Sequence, residues 1–176
     1  MKQTERERVY LVKYLPNNLN QFKPIEIQVG DFFDSNAIDA LKIRQKGNDY
    51  HLIKKEANSA QERVEHVIHI KEGEFKTLIG STVQSHKKLR YLFPLNNLIC
   101  ELDIYKDKLS GYVRAEVEFD SEEEMNNFIP PEWFAEEITN INHEIHENLG
   151  TVTFDEMKER YRLRGIILDK VLLVNK

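Results

Sequence analysis

The chain has 176 residues, of which 40% are hydrophobic and 31% charged, with a formal net charge of −5. This length suits one domain with a substantial core, and the acidic balance argues against general nucleic-acid binding, which normally requires a basic excess. No apolar run approaches the roughly 18–20 residues of a membrane span, no signal-peptide core is present, and the one cysteine, Cys100, excludes an internal disulfide. We therefore expect a cytoplasmic single domain without membrane contact.

Apolar residues recur mostly with a period of two, which is typical of β-strands. In chain order, the pattern predicts strands over residues 5–13, 42–55, 63–70, 88–95, 98–105 and 112–119, with turns at Asn48-Asp49 after Gly47 and at Asn96-Asn97. Helices are predicted over 72–80, over 122–128, and from Thr153 to about Arg164, the last two starting with capping boxes. The apolar tail from Ile166 to Val174 is strand-like. The pattern indicates an α+β fold dominated by antiparallel strands, with helices outside the sheet.

Charged residues share a face on several of these strands. The groups are Glu5 and Glu7; Lys42, Arg44 and Lys46; Lys88 and Arg90; Glu101 and Asp103; and Arg114, Glu116 and Glu118. Any one of these faces alone is what a solvated strand surface would show. If the sheet closed on itself, however, the charged faces would line a hydrated channel. Cations in such a channel would bind phosphate oxygens, and carboxylates would bind Mg²⁺ or Mn²⁺.

The same residues form an ordered set of short motifs. They are Glu5-Arg6-Glu7-Arg8-Val9, Ile43-Arg44-Gln45-Lys46-Gly47, the strand ending at Lys55, Arg63-Val64-Glu65, Lys88-Leu89-Arg90-Tyr91, Glu101-Leu102-Asp103, Ala115-Glu116-Val117-Glu118-Phe119, and the stretch from Phe128 to Phe134. In this order and spacing, over about residues 4–149, they resemble the CYTH family, the triphosphate tunnel metalloenzymes.

The resemblance implies an eight-stranded antiparallel β-barrel, the triphosphate tunnel, with helices packed outside. It further implies hydrolysis of a triphosphate substrate, inorganic or organic, with Mg²⁺ or Mn²⁺ as cofactor. By position, it assigns metal binding to Glu5, Glu7, Glu116 and Glu118, and substrate binding to Lys42, Arg44, Lys55, Lys88 and Arg90. Among these residues, Glu5, Glu7, Lys55 and Arg90 would act in catalysis, spreading positive charge over the phosphoryl group as charge develops on it.

Two departures from the family pattern bear on function. Val9 stands where the ExExK signature has its lysine, and Lys42 replaces the first arginine of the RxR strand. A lost cation at a substrate contact lowers rate, by roughly 10²–10³ for one oxyanion-type contact. The alternative to a phosphohydrolase is therefore a nucleotide- or polyphosphate-binding module with weak or no turnover. An adenylate cyclase is a lower third alternative, because no base-recognition pocket is identifiable.

Residues 150–176 extend beyond the resemblance and are treated as a helix and strand extension of the same domain. Lys158, Arg160, Arg162 and Arg164 make this segment basic. Two roles are open for it: a helix that plugs the tunnel mouth, or a strand that adds to a homodimer interface. The basic residues are also candidates to replace the cation missing at Val9.

Overall fold

Antiparallel β-strands form most of the structure. It is a computed structural model that describes residues 2–33, 39–57 and 62–171. The strands are β1 Lys2–Val12, β2 Ile25–Asp31, β3 Asp39–Lys46, β4 Asp49–Ala57, β5 Glu62–Ile70, β6 Gln84–Leu95, β7 Leu98–Tyr105, β8 Val113–Glu118 and β9 Phe134–Glu137. The helices are α1 Glu72–Ile79, α2 Glu122–Asn127, α3 Asn142–Ile145 and α4 Phe154–Arg162, with 3₁₀ turns at Leu19–Gln21, Asp107–Leu109 and Leu149–Thr151. No helix in the described ranges is long and apolar enough to cross a membrane.

The predicted elements are largely confirmed. The three predicted helices are α1, α2 and α4; the Ser121 hydroxyl accepts from the Glu124 backbone at 3.1 Å, and Thr153 forms a capping box with Glu156. Strand β2 and the four-residue strand β9 were not predicted from the sequence. The strand predicted from Ile166 is wrong over residues 166–171, which have no regular structure, and residues 172–176 lie outside the described residues.

The sheet is antiparallel throughout and curls into a tunnel. Its strand order is β5-β4-β3-β2-β6-β7-β8-β1-β9, and β5 also pairs with β1. The first half of β1, residues 2–6, pairs with β5, whereas residues 7–11 pair with β8. Strands β1 to β8 thus surround the tunnel as the predicted eight-stranded fold requires, and β9 extends the sheet beside the second half of β1.

The outer surface of the tunnel wall carries one hydrophobic core. Outward-facing residues such as Leu102, Ala115 and Val117 are fully buried there, together with the aromatic side chains of Trp133 and Phe134. Cys100 is also fully buried in this core, as expected of a small apolar side chain. Covering the outer face with apolar residues leaves the opposite, charged face of the same strands pointing into the tunnel.

A cap formed by residues 138–168 fills one end of the tunnel. Inward-facing Val9, Leu11 and Tyr105 belong to a second core with cap residues, among them Ile138, Ile145, Leu149, Met157 and Tyr161. The Gly150 backbone N–H donates to Gln84 Oε1 at 2.8 Å, which ties the cap to the start of β6. Two roles were left open for the C-terminal region, and the structure supports the one in which it closes the tunnel mouth. The cap includes residues on both sides of position 150.

Close backbone packing at Gly150 makes the cap sensitive to a single methyl group. A Cβ atom at this position would lie 2.6 Å from the backbone nitrogen of Ser85 and 2.7 Å from its carbonyl oxygen, so the backbone would have to shift. We expect Gly150→Ala to lower the free energy of unfolding by about 1–3 kcal/mol, measured by urea denaturation. As a control, Gly73→Ala in α1 meets no atom within 4 Å and should be neutral or stabilising by up to about 1 kcal/mol. Equal effects of the two substitutions would contradict this account of the cap.

Candidate active site

Cross-strand register brings most of the predicted site residues to the inner face of the tunnel. Arg90 on β6 lies opposite Asp103 on β7, and Glu116 on β8 lies opposite both Glu101 and Val9. Residues directly opposite on adjacent antiparallel strands share a face. The same register places the following predicted residues on the inner face: Glu7, Lys42, Arg44, Lys55, Lys88 and Glu118. Glu5 lies on β1, two residues before Glu7. The side chain of Glu5 lies outside the described part of the chain, so only its strand position is given.

Asp103 is the centre of a buried ionic cluster. Its carboxylate is fully inaccessible to solvent and accepts two hydrogen bonds of 2.6 Å from Nε and Nη2 of Arg90. Lys88 Nζ also donates to it, and Arg114 Nη2 is 3.5 Å away. A buried carboxylate is stabilised in an apolar interior only when cations compensate its lost hydration. Asp103 therefore fixes the positions of three cations.

Glu116 joins the cluster from the neighbouring strand. It accepts from Arg90 Nη2 at 2.9 Å and pairs with Arg114, while Arg90 Nη1 pairs with Glu101. Burial raises the pKa of Glu116, but Arg114 and Arg90 outweigh burial and lower that pKa to about 2. The pKa of Asp103 lies well below its usual range for the same reason, since Arg90 and Lys88 outweigh its burial. Both carboxylates are therefore charged at neutral pH.

A second set of cations lines the wall formed by β3 and β4. Lys42 Nζ lies 3.1 Å from Asp31 Oδ1, and Lys55 Nζ forms an ion pair with Glu65. Arg44 lies two residues beyond Lys42 on the same face of β3, opposite His51, and its buried Nε has no hydrogen-bond partner within the described residues. Burial lowers the pKa of Lys42 despite the neighbouring Asp31 carboxylate. This wall thus offers three cations, and Arg44 keeps an unused donor.

Four carboxylates gather on the inner face of β1, β7 and β8: Glu7, Glu101, Glu116 and Glu118. Glu118 lies opposite Glu7 and is exposed. Partial burial of its carboxylate, followed by the negative charges of Glu101, Glu116 and Glu7, raises the pKa of Glu118. A site where carboxylates repel one another favours a bound cation, and oxygen donors of this kind suit Mg²⁺ or Mn²⁺. Within the described side chains, no three acidic, histidine or cysteine residues are already arranged around a common metal position.

Arg114 is a tunnel residue that the sequence analysis did not assign to the site. Its signal was present, because it shares a strand face with Glu116 and Glu118. Asp31 and the cap residues Asn142 and His146 were also missed. Asp31 lies on the unpredicted strand β2, and the two cap residues reach Arg114 only through the tertiary fold.

The basic residues of the C-terminal region do not supply a tunnel cation, which corrects that expectation. Arg160 donates to the carbonyl oxygens of Ile145 and Glu147. Arg162 pairs with Glu159 and Arg164 with Glu144, and Lys158 is exposed. All four residues therefore lie on the cap or its surface.

Fold and site together define an antiparallel β-tunnel lined by ion pairs. No protein-family model matches the chain. However, an inorganic triphosphatase from Nitrosomonas europaea is 33% identical over 138 residues, covering 77% of this chain and 89% of that protein. The chain therefore belongs to the CYTH family, the triphosphate tunnel metalloenzymes.

Solved structures agree with this assignment. A crystal structure of the inorganic triphosphatase NE1496 has a TM-score of 0.63 and 30% identity, covering 84% of this chain and 95% of that one. A putative adenylate cyclase from Bacillus halodurans is similar in fold alone, with a TM-score of 0.51 and 17% identity over 99% of this chain and 96% of that one. The predicted fold class is confirmed.

Removing the charge of Asp103 should destabilise the folded protein. Asp103→Asn leaves Lys88, Arg90 and Arg114 with one fewer buried carboxylate, and breaking a buried ion pair costs about 3–5 kcal/mol. We expect that loss in the free energy of unfolding, measured by urea denaturation at pH 7. Asp120→Asn is the matched control at an exposed position and should change stability by less than about 0.5 kcal/mol. An Asp103→Asn protein as stable as the wild type would refute the central role of this carboxylate.

Proposed function

We propose that the protein hydrolyses the terminal phosphoanhydride bond of a triphosphate, inorganic tripolyphosphate or an organic triphosphate, inside the tunnel and with Mg²⁺ or Mn²⁺. The observation that carries the proposal is the convergence of Lys42, Arg44, Lys55, Lys88 and Arg90 on one enclosed face with acidic residues beside them. The similarity to an inorganic triphosphatase supports the reaction class. We also infer a cytoplasmic location, in line with the unpaired, buried Cys100.

The cations bind and orient the phosphate chain. Arg44 and Arg90 hold oxygens through planar guanidinium groups, and the lysines add point charges along the wall. Apart from Arg44, these cations already contact carboxylates, so a triphosphate takes the place of carboxylate oxygens around them. Arg44 has its buried Nε free of any such partner in the described structure, and we assign it a contact with the substrate that displaces nothing.

The acidic residues Glu5, Glu7, Glu116 and Glu118 would hold the divalent cation. The pKa of Glu118 is raised by burial and then by the neighbouring carboxylates, which fits such a group, because a bound cation offsets the repulsion between the carboxylates. When bound, the metal supplies a nucleophilic water and neutralises charge on the phosphate oxygens. Arg90 and Lys55 stabilise the negative charge on the oxygens of the transferred phosphoryl group and on the leaving oxygen.

Phosphate release distinguishes this enzyme from a module that only binds. We expect release from tripolyphosphate with Mg²⁺ or Mn²⁺, none in EDTA, and a loss of about 10²-fold or more in Glu116→Gln. The matched control is Glu123→Gln, which changes an exposed residue of α2 and should leave the rate unchanged. ATP and thiamine triphosphate, assayed in parallel, report substrate preference. Tight tripolyphosphate binding without release would instead establish the binding module, and cyclic nucleotide from ATP would establish the cyclase.

Lys88 gives the reaction a pH dependence at alkaline pH. Burial, aided by Arg90, lowers the pKa of Lys88 to about 8. The protonated amine attracts phosphate, and this charge is present below pH 8 and lost as the pH rises through it. We expect the KM for tripolyphosphate to rise about tenfold between pH 7 and pH 9 in addition to any change in the substrate itself.

The variant Lys88→Arg isolates this effect, because arginine stays charged over the whole interval. Its KM should change less between pH 7 and pH 9 than that of the wild type, whatever its value at pH 7. Steady-state kinetics at fixed free Mg²⁺ measure both profiles. Parallel profiles for the two proteins would show that Lys88 does not set the alkaline limit.

A further inference from the structure

Arg114 projects into the tunnel from β8, beside the cap, and is only 7% exposed. Of its five N–H donors, those on Nη2 face Glu116 and Asp103. The Nη1 group donates to Asn142 Oδ1 at 2.9 Å and contacts His146 Nδ1 at 3.0 Å. The remaining donor, Nε–H, is buried and has no hydrogen-bond partner within the described residues. Arg114 is thus firmly held while one of its donors stays unused.

The contact with His146 determines which imidazole nitrogen carries the proton. A guanidinium group can only donate, so Nδ1 of His146 must accept with its lone pair. The proton of the neutral ring is then on Nε2, which donates to the Tyr112 hydroxyl at 2.6 Å. That hydroxyl in turn lies 2.8 Å from the Tyr161 hydroxyl on α4. Burial, followed by the charges of Arg114 and Lys88, lowers the pKa of His146 well below its usual value, which keeps the ring neutral.

The capped end of the tunnel has the electrostatics of an anion site. The positive charges of Lys42, Lys88 and Arg114 all act on the buried imidazole of His86, and the carboxylates beside these cations are Asp31, Asp103 and Glu116. If Glu116 binds a metal ion, as proposed above, then of these three carboxylates only those of Asp31 and Asp103 remain beside the cations. His86 Nδ1 and Arg114 Nε are both buried polar atoms without a partner among the described residues. The Nε–H of Arg114 can only donate, so this buried, unsatisfied group indicates a missing acceptor.

We propose that Arg114 binds a phosphate group of the substrate at the capped end of the tunnel, and that His146 is the positioning residue that holds its guanidinium there. The inference rests on the proposed triphosphate site and adds a cation to it. His146 acts only through Nδ1, because its other nitrogen points toward Tyr112. The cap is therefore part of the substrate site as well as a structural closure.

A pair of amide substitutions separates the two nitrogens of His146. In His146→Asn the side-chain oxygen can take the place of Nδ1 and accept from Arg114, whereas the longer side chain of His146→Gln places its amide nearer the position of Nε2. A hydrogen bond to a charged group contributes about 1.5–3 kcal/mol. We therefore expect the KM for tripolyphosphate to rise about tenfold or more in His146→Gln, with kcat changed far less, and to remain within about threefold of wild type in His146→Asn. Titration calorimetry with tripolyphosphate in EDTA should show the same order of dissociation constants.

Tyr161→Phe is the control for cap stability. It removes the hydroxyl group at the far end of the hydrogen-bonded row His146–Tyr112–Tyr161. It should lower the thermal midpoint of unfolding while leaving KM unchanged. If KM followed thermal stability across the three variants, or if His146→Gln and His146→Asn gave equal KM and binding constants, His146 would be a structural contact only and the inference would fail. A wild-type protein that neither binds nor hydrolyses tripolyphosphate would overturn the proposed function as well.

Discussion

The tunnel depends on one interaction, the burial of the Asp103 carboxylate against Arg90, Lys88 and Arg114. Without this negative charge, Lys88 would lose its carboxylate partner, while Arg90 and Arg114 would keep only Glu101 and Glu116, and an uncompensated buried ion costs several kcal/mol. With it, the guanidinium of Arg90 is held at both Nε and Nη2, so its position is set before any ligand arrives. Preorganised charges of this kind do not have to reorient when negative charge develops on a substrate. The same carboxylate thus permits the fold and orders the site.

Exposure along the tunnel gives the site a direction. On the side of the tunnel that carries Asp103, side-chain exposure rises from 0% at Asp103 and 10% at Arg90 to 18% at Glu101, while the opposite end is packed with the apolar residues of the cap. The site therefore has a closed end beside Arg114, where the cap contacts it, and a more exposed end beside Glu101 and Lys46.

The sequence alone predicted the inner face well, because alternation identifies which residues share a face without knowledge of the neighbouring strand. Glu116, Arg90 and Lys42 were placed in this way. Strand β2 was not predicted, although its residues alternate between apolar and polar. Its apolar residues Ile27 and Val29 face the tunnel, whereas the other strands place charged residues on that face. The contacts of His146 with Arg114 depend on how the cap docks, and no local pattern encodes that. The tail after Ile166 is apolar because Leu168 and Val171 pack into the two cores as irregular chain, so hydrophobicity there indicates burial and does not indicate a strand.

Val9 and Arg114 are best understood together. Val9 stands where the family signature has a lysine, and it is fully buried in the core that the cap shares with Leu11 and Tyr105. A lysine there would place a charge in that apolar contact, so the valine is what allows the cap to pack this deeply. Arg114, opposite Leu11 on β8, lies diagonally across from Val9 on the same face, close enough for side chains to reach the same space. The positive charge absent from β1 is therefore present on the adjacent strand, where the carboxylates of Asp103 and Glu116 and the acceptors of the cap compensate its burial.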